Sequence, residues 1–174
     1  MVTLSGCTSL LIGGSALGLH ELNVFQNPDV NLRAKNYAAA DYVIQQGETF
    51  IRKDRDVIRL MPLVNFHDPK TPAEVGRIIP EQIGARLTQL GYKVDTSHVA
   101  PPAAQGTGLQ PSTAGTAQYI LSGHYIEDRP HLNVSLRLMQ IQSNRAVGAF
   151  DYRMPTNREI RELAKPKPQI LLIQ

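Results

Sequence analysis

The sequence predicts an α/β fold of the α+β kind: a mixed β-sheet with an antiparallel C-terminal meander and two main helices packed on it. Two observations carry this. Val75, Ile78, Ile79, Ile83, Leu87 and Leu90 recur at helical steps and are followed by Gly91 and the short β-rich run Tyr92-Lys93-Val94-Asp95. Helix, glycine and strand in that order form the closing half of a right-handed β-α-β unit. Further on, Leu132, Val134, Leu136, Leu138 and Ile141 are set against Asn133, Ser135, Arg137 and Gln140, the period of a strand with one wet face.

The elements follow in order. Residues 32–46 have high helix propensity, with Tyr37, Ala40, Val43 and Ile44 at helical spacing and Gly47 as the stop. Residues 56–66 are β-rich and largely apolar, which predicts a central strand covered on both faces, with a bulge or an edge position at Pro62. The second helix is expected over 71–90. Thr71 is its cap, Pro72 its first helical residue, Glu74 completes a capping box, and Pro80 kinks it or shifts its start toward Ile79. Residues 100–117 are Pro, Gly, Ala, Thr and Gln with almost no charge and predict a long surface loop. Strands are expected over 118–127, 132–141 and 146–154, joined by turns at Asp128-Arg129-Pro130 and Gln142–Arg145. A short charged helix over 156–164, capped by Thr156 with Glu159 three residues on, precedes Lys165-Pro166-Lys167-Pro168 and a last apolar run, 170–173. The chain thus divides into 1–32 (truncated signal remnant, lipid box and Gly-rich tether), an α/β domain over 33–155, and a C-terminal helix and tail over 156–174.

Composition removes several function classes. With aromatics at 6% and no Trp among 174 residues, stacking faces for sugars or single-stranded nucleic acid are scarce. Eighteen basic against 15 acidic residues give only +3, with no Lys/Arg run able to track a phosphate backbone, so nucleic acid is not expected as a partner. The single cysteine cannot form an internal disulfide. The histidines at 20, 67, 98, 124 and 131 have no metal-ligand spacing, so neither metal nor cofactor is expected, and no small-molecule substrate is evident.

That cysteine has another use. Leu4-Ser5-Gly6-Cys7 matches a lipoprotein box at all four positions: small residues for the peptidase, and a thiol to carry a diacylglycerol thioether. Each buried methylene contributes about 0.8 kcal/mol, so several acyl chains hold a soluble domain at a bilayer almost permanently. Only Met1-Val2-Thr3 precede the box, short of the basic and apolar regions of a full export signal, and an upstream translation start is the expected explanation. Thr8 and Ser9 follow Cys7, so an acidic inner-membrane retention signal is absent and the outer membrane is the expected address.

The pattern resembles a known family. The residues that carry the likeness are Asn36-Tyr37-Ala38 and Leu63-Val64-Asn65-Phe66, the run from Val75-Gly76-Arg77 through Pro80-Glu81-Gln82 to Arg86-Leu87, Gly91-Tyr92-Lys93-Val94, and Tyr119-Ile120-Leu121-Ser122-Gly123-His124-Tyr125. Together they resemble the FlgO family of outer-membrane lipoproteins associated with flagella, over roughly residues 34–155, with Pro80 a departure from its helix. The resemblance implies a non-enzymatic scaffold or assembly factor for motility, its domain in the periplasm or at the cell surface. It would contact other envelope or flagellar proteins through an exposed sheet edge and the 100–117 loop. The same scaffold is expected in lipoproteins of the CsgG secretion type and the LpoB type that activates a peptidoglycan synthase, and in the N-terminal domain of TolB. The oligomeric state is left open.

Candidate chemistry is sparse. His67-Asp68 has the composition of a dyad, but turn chemistry, with Asp68 bonding the backbone ahead of Pro69, accounts for it. Ser122 and His124 share a strand face without an elbow to activate the serine, and Gly123 between them marks a bulge or close packing. Arg77 and Arg86 flank the apolar helix stripe and could meet an anionic partner. Glu48, Asp54 and Asp56 are expected to face water beside Arg52, Lys53 and Arg55.

Overall fold

In the computed structural model, which describes residues 24–71, 73–99 and 117–166, six strands form one mixed sheet. They are β1 (Val57–Leu60), β2 (Val64–Asn65), β3 (Lys93–Asp95), β4 (Tyr119–Asp128), β5 (His131–Gln140) and β6 (Arg145–Pro155). The order is β3-β1-β4-β5-β6, with β2 also beside β4. β3, β1 and β4 run parallel, while β4, β5 and β6 form the expected antiparallel meander. The named helices are α1 (Leu32–Gly47), α2 (Val75–Gln89) and α3 (Arg158–Ala164), and residues 24–26 add a helical turn. The lipid box and the 100–117 loop, apart from Ala117, lie outside the described residues, as do Pro72 and the run 170–173.

One cross-strand row shows where the helices sit. Leu60, Leu121, Leu138 and Gly148 are register neighbours across β1, β4, β5 and β6 and therefore share a face. A Cβ on Gly84 of α2 would meet the Leu60 side chain, and one on Gly148 would meet the Val43 carbonyl of α1, so both helices cover that face. Leu132, Val134, Leu136 and Leu138 of β5 point into it and are buried in one core with Val75, Ile79, Ile83 and Leu87 of α2. Each such side chain contributes about 1.5–3 kcal/mol of transfer free energy. The packed domain also reaches back to Phe25, which is buried among Tyr42, Phe150 and Tyr152.

Three local expectations are corrected. The single strand expected over 56–66 is two, interrupted at Met61–Leu63 around Pro62, and it is covered on one face only: Ile58 and Leu60 are buried while Val57 and Arg59 are not. The second helix starts at Val75, not Thr71. Glu74 occupies its N-cap without a side-chain capping bond, and the Thr71 N–H closes a turn on the Asp68 carbonyl. The last helix is capped by Asn157, whose side chain accepts the Ile160 N–H, and Thr156 lies one residue outside it with its N–H on the Pro130 carbonyl.

Pro80 lies inside α2, and the packing explains how. A proline there leaves the Gly76 carbonyl without its helical donor. The Leu63 N–H, freed by the break at Pro62, donates to that carbonyl at 2.7 Å. The contact is so close that a Cβ on Gly76 would lie 2.3 Å from the Leu63 oxygen. Two local irregularities thus satisfy one another. At the other end, Gly91 takes φ +87°, with Tyr92 N–H on the Leu87 carbonyl and Gly91 N–H on the Thr88 carbonyl, the two bonds of a Schellman stop.

Polar bonds join α1 to α2. The buried Asn36 side chain donates to Gln82 Oε1 (2.8 Å) and accepts from the Tyr152 hydroxyl (2.9 Å), tying both helices to β6. Five residues on, Asp41 is chelated by Arg86 at 2.8 and 3.0 Å. Pairs 36–82 and 41–86 advance together, so the helices run parallel.

Lys35, one residue before this network, is 1% exposed, and its ammonium has no hydrogen-bond partner among the described residues. Burial lowers its pKa, which makes the charged form a liability in the folded state. Lys35→Met should therefore raise stability at pH 7 by roughly 1 kcal/mol, measured by urea unfolding. As pH rises through the lowered folded pKa toward 10.5, the folded state sheds the proton that the unfolded state still holds. Wild-type stability then rises and the gap to the variant narrows.

Candidate interaction face

Because the helices share one side, the opposite face of the sheet is left open among the described residues. Register places Ile120, Ser122, His124 and Ile126 of β4 on it, opposite Met139, Arg137, Ser135 and Asn133 of β5, with Ala149, Asp151 and Arg153 of β6 beyond. Arg59 and Asp95 continue the face on β1 and β3.

Its charges are largely paired. Arg137 grips Asp151 through two bonds, 2.8 and 3.2 Å, and also donates to the Leu136 carbonyl. Arg137 holds the Asp151 carboxyl below its ordinary pKa against the opposing effect of burial, with smaller help from Ser135 and His124. Asp95 accepts from Arg59 Nε at 2.9 Å and from the Ser97 N–H at 3.0 Å. Burial works against its charge, but Ser97 and Arg59 outweigh it and leave the pKa lowered.

Ser122 and His124 share this face as the alternation required. The row through His124 continues to Ser135 and then Asp151, so an acid does lie on the histidine's row. Ser135 stands between them, and the carboxylate is committed to Arg137, so no base–acid relay is formed. Gly123 is a close-packing site: a Cβ there would lie 1.9 Å from the Ser135 carbonyl oxygen.

The other sequence candidates resolve into structural roles. At His67-Asp68 the turn is made by Asn65, not by Asp68: the Asn65 side-chain oxygen Oδ1 accepts both N–H groups, at 2.9 and 3.3 Å. Arg77 donates twice to the Val99 carbonyl, and Arg86 is occupied by Asp41, which raises its pKa through that hydrogen bond. Neither guanidinium is held ready for an anion. Glu48 and Asp54 are exposed as expected; Asp56 is half-buried and accepts the Arg52 N–H, while Lys93 donates to the Asp54 carbonyl. A shallow groove of about 250 Å³ between the ends of α1 and α2 is lined by Asp41, Arg86, Lys53 and Tyr92, which already engage each other as an ion pair and a cation–π contact. No group of three or more metal-ligating side chains occurs among the described residues.

What sequence reasoning missed is an apolar corner. Val64 and Phe66, expected inside a doubly covered strand, are 45% and 57% exposed. Phe66 lies against the rings of His67 (5.6 Å) and His124 (5.3 Å). The available signal was Pro62 followed closely by the breaker cluster 67–72, which leaves too little strand to be buried twice.

No protein-family profile matches this sequence, and no curated protein does. Among solved structures, the chain is similar to the LpoB C-terminal domain from Salmonella enterica, with 13% identity and a TM-score of 0.40 over 66% of this chain and 96% of that one. It is also similar to lipoprotein GNA1162 from Neisseria meningitidis, with 12% identity and a TM-score of 0.38 over 60% and 84%. A third is the PelC dodecamer from Paraburkholderia phytofirmans, with 18% identity and a TM-score of 0.40 over 60% and 74%.

Proposed function

We propose that this chain is a lipid-anchored envelope protein, held at the outer membrane through Cys7, that acts by contact with other proteins rather than by catalysis. The observation that carries the reading is the box Leu4-Ser5-Gly6-Cys7 ahead of a single packed domain. No helix among the described residues is long and apolar enough to cross a membrane. On the domain, the His67 N–H, Arg77 and Arg86 are engaged in internal bonds, and the exposed apolar corner at Val64 and Phe66 is the kind of surface proteins use on each other.

The biological setting is proposed from the FlgO resemblance: assembly or support of the flagellum. The residues behind that resemblance largely build the fold. Asn36, Gln82 and Arg86 join the helices, while Gly76 and Gly123 permit backbone contact. They therefore support the scaffold more strongly than the setting. A strain lacking this gene should swim poorly, and a Cys7→Ala chain should fail to restore swimming at equal abundance. Normal swimming in the deletion strain overturns the flagellar setting. Full rescue by Cys7→Ala overturns the need for the anchor. Stimulation of a peptidoglycan synthase by the purified chain would move the assignment to the LpoB type of activity.

A further inference from the structure

Two apolar features of the chain lie at the two ends of one short path. The first is the corner at Val64 and Phe66. Val64 is the register neighbour of His124 and so lies on the open face of the sheet. The Phe66 N–H donates to the Tyr125 carbonyl, which carries the same alternation one step further. Both side chains are exposed, Phe66 with the rings of His67 and His124 beside it. The second feature is Ile170-Leu171-Leu172-Ile173, four consecutive apolar residues behind Lys165-Pro166-Lys167-Pro168. Such a run is a liability in water unless something covers it. The bridge after α3 fixes where this run sets out: Pro166 pairs antiparallel with Ala73. Antiparallel pairing aims the chain beyond Pro166 back along the segment that leads up to Ala73, toward residues 71–67 and Phe66.

We propose that residues 170–173 pack on the Val64–Phe66 corner of the same chain. Phe66 lies seven residues before Ala73, and Ile173 lies seven residues after Pro166. Whatever course residues 66–73 take, the tail has as many residues with which to retrace it. The link is only Lys167-Pro168-Gln169, so it holds the run near the corner at an effective concentration on the order of millimolar. Pro166 and Pro168 each fix a backbone angle along the way, which lowers the entropy lost on docking. A tail supplied by a second copy lacks this short link and the concentration that comes with it. The inference goes beyond the reading that the domain works by protein contact: a partner that uses this corner displaces the tail first.

The test uses the unlipidated full chain with labelled Ile, Leu and Val methyl groups and Phe rings. Nuclear Overhauser effects should join the methyls of residues 170–173 to the Phe66 ring and to Val64. Leu171→Asp/Leu172→Asp leaves the buried core unchanged. In it these effects should vanish, and amide exchange at residues 64–68 should quicken about tenfold. Phe66→Ser, a change at an exposed position, should in return shift the resonances of residues 170–173. A mixture of labelled and unlabelled chains identifies the source of the tail, and effects that cross between molecules overturn the same-chain assignment. Absence of the tail-to-corner effects in the wild-type chain overturns the proposal and leaves the corner open to a partner protein. Cys7 is unmodified here, so failure of this test leaves the lipid-anchor reading intact, and failure of that reading leaves the docked tail intact.

Discussion

Gly123→Ala should destroy cooperative folding or lower the unfolding free energy by about 3 kcal/mol or more. The added Cβ would sit 1.9 Å from the Ser135 oxygen and 3.0 Å from its carbonyl carbon. Both are backbone atoms of the adjacent strand, so no rotamer change relieves the clash. The two strands would have to separate at the centre of the meander, where Leu121, Leu136 and Leu138 are buried. Gly91→Ala is the control. Its φ of +87° disfavours a side chain, but the space around it is open, and a loss of about 1 kcal/mol is expected. Urea denaturation of both variants separates the cases. Equal, small losses would mean that β4 and β5 do not approach as described.

Asn36→Ala should lower stability by about 2–4 kcal/mol. The side chain is wholly buried and is the acceptor for the Tyr152 hydroxyl at 2.9 Å. Burial pushes the Tyr152 pKa far above its ordinary value, so the phenol stays protonated and needs an acceptor. Truncation leaves that hydroxyl and Gln82 without their partner inside the helix–sheet junction. Tyr152→Phe removes one of these demands, so a double-mutant cycle should show coupling of about 1 kcal/mol or more. Additive effects would argue that the 36–152 bond contributes nothing to stability.

The elements with a strong local signal were legible. Alternation along 132–138 depends only on which face is wet, and β5 follows it there, but the expected inward residue Ile141 falls in the turn beyond the strand and is 42% exposed. Gly91 announced the end of α2 because a left-handed stop needs a residue without a side chain. The remainder depended on what meets what. Thr71 and Thr156 have good capping chemistry, yet both lie outside the helices, in turns whose N–H groups bond the Asp68 and Pro130 carbonyls, and the helices begin later at Val75 and Arg158. Pro80 reads as a helix breaker until Leu63 is seen to donate to the carbonyl it orphans. The exposure of Val64 and Phe66 follows from having helices on only one side of the sheet, a tertiary fact that a mostly apolar run does not encode. In the same way, Ser122 and His124 were legible as neighbours on one face. The pairing of Asp151 with Arg137, which removes the acid from their reach, required three strands in register.

The proposed role of the domain depends on its being anchored through Cys7. That proposal rests on the lone cysteine, the box around it and the lack of an acidic residue at positions 8 and 9. The most direct measurement is the intact mass and N-terminal peptide of the native protein extracted from cell membranes. The account predicts a chain that begins at Cys7, with a diacylglycerol thioether on its sulfur and a further acyl chain on its amine. A chain that retains Met1 with an unmodified Cys7, recovered from the soluble fraction, would contradict it.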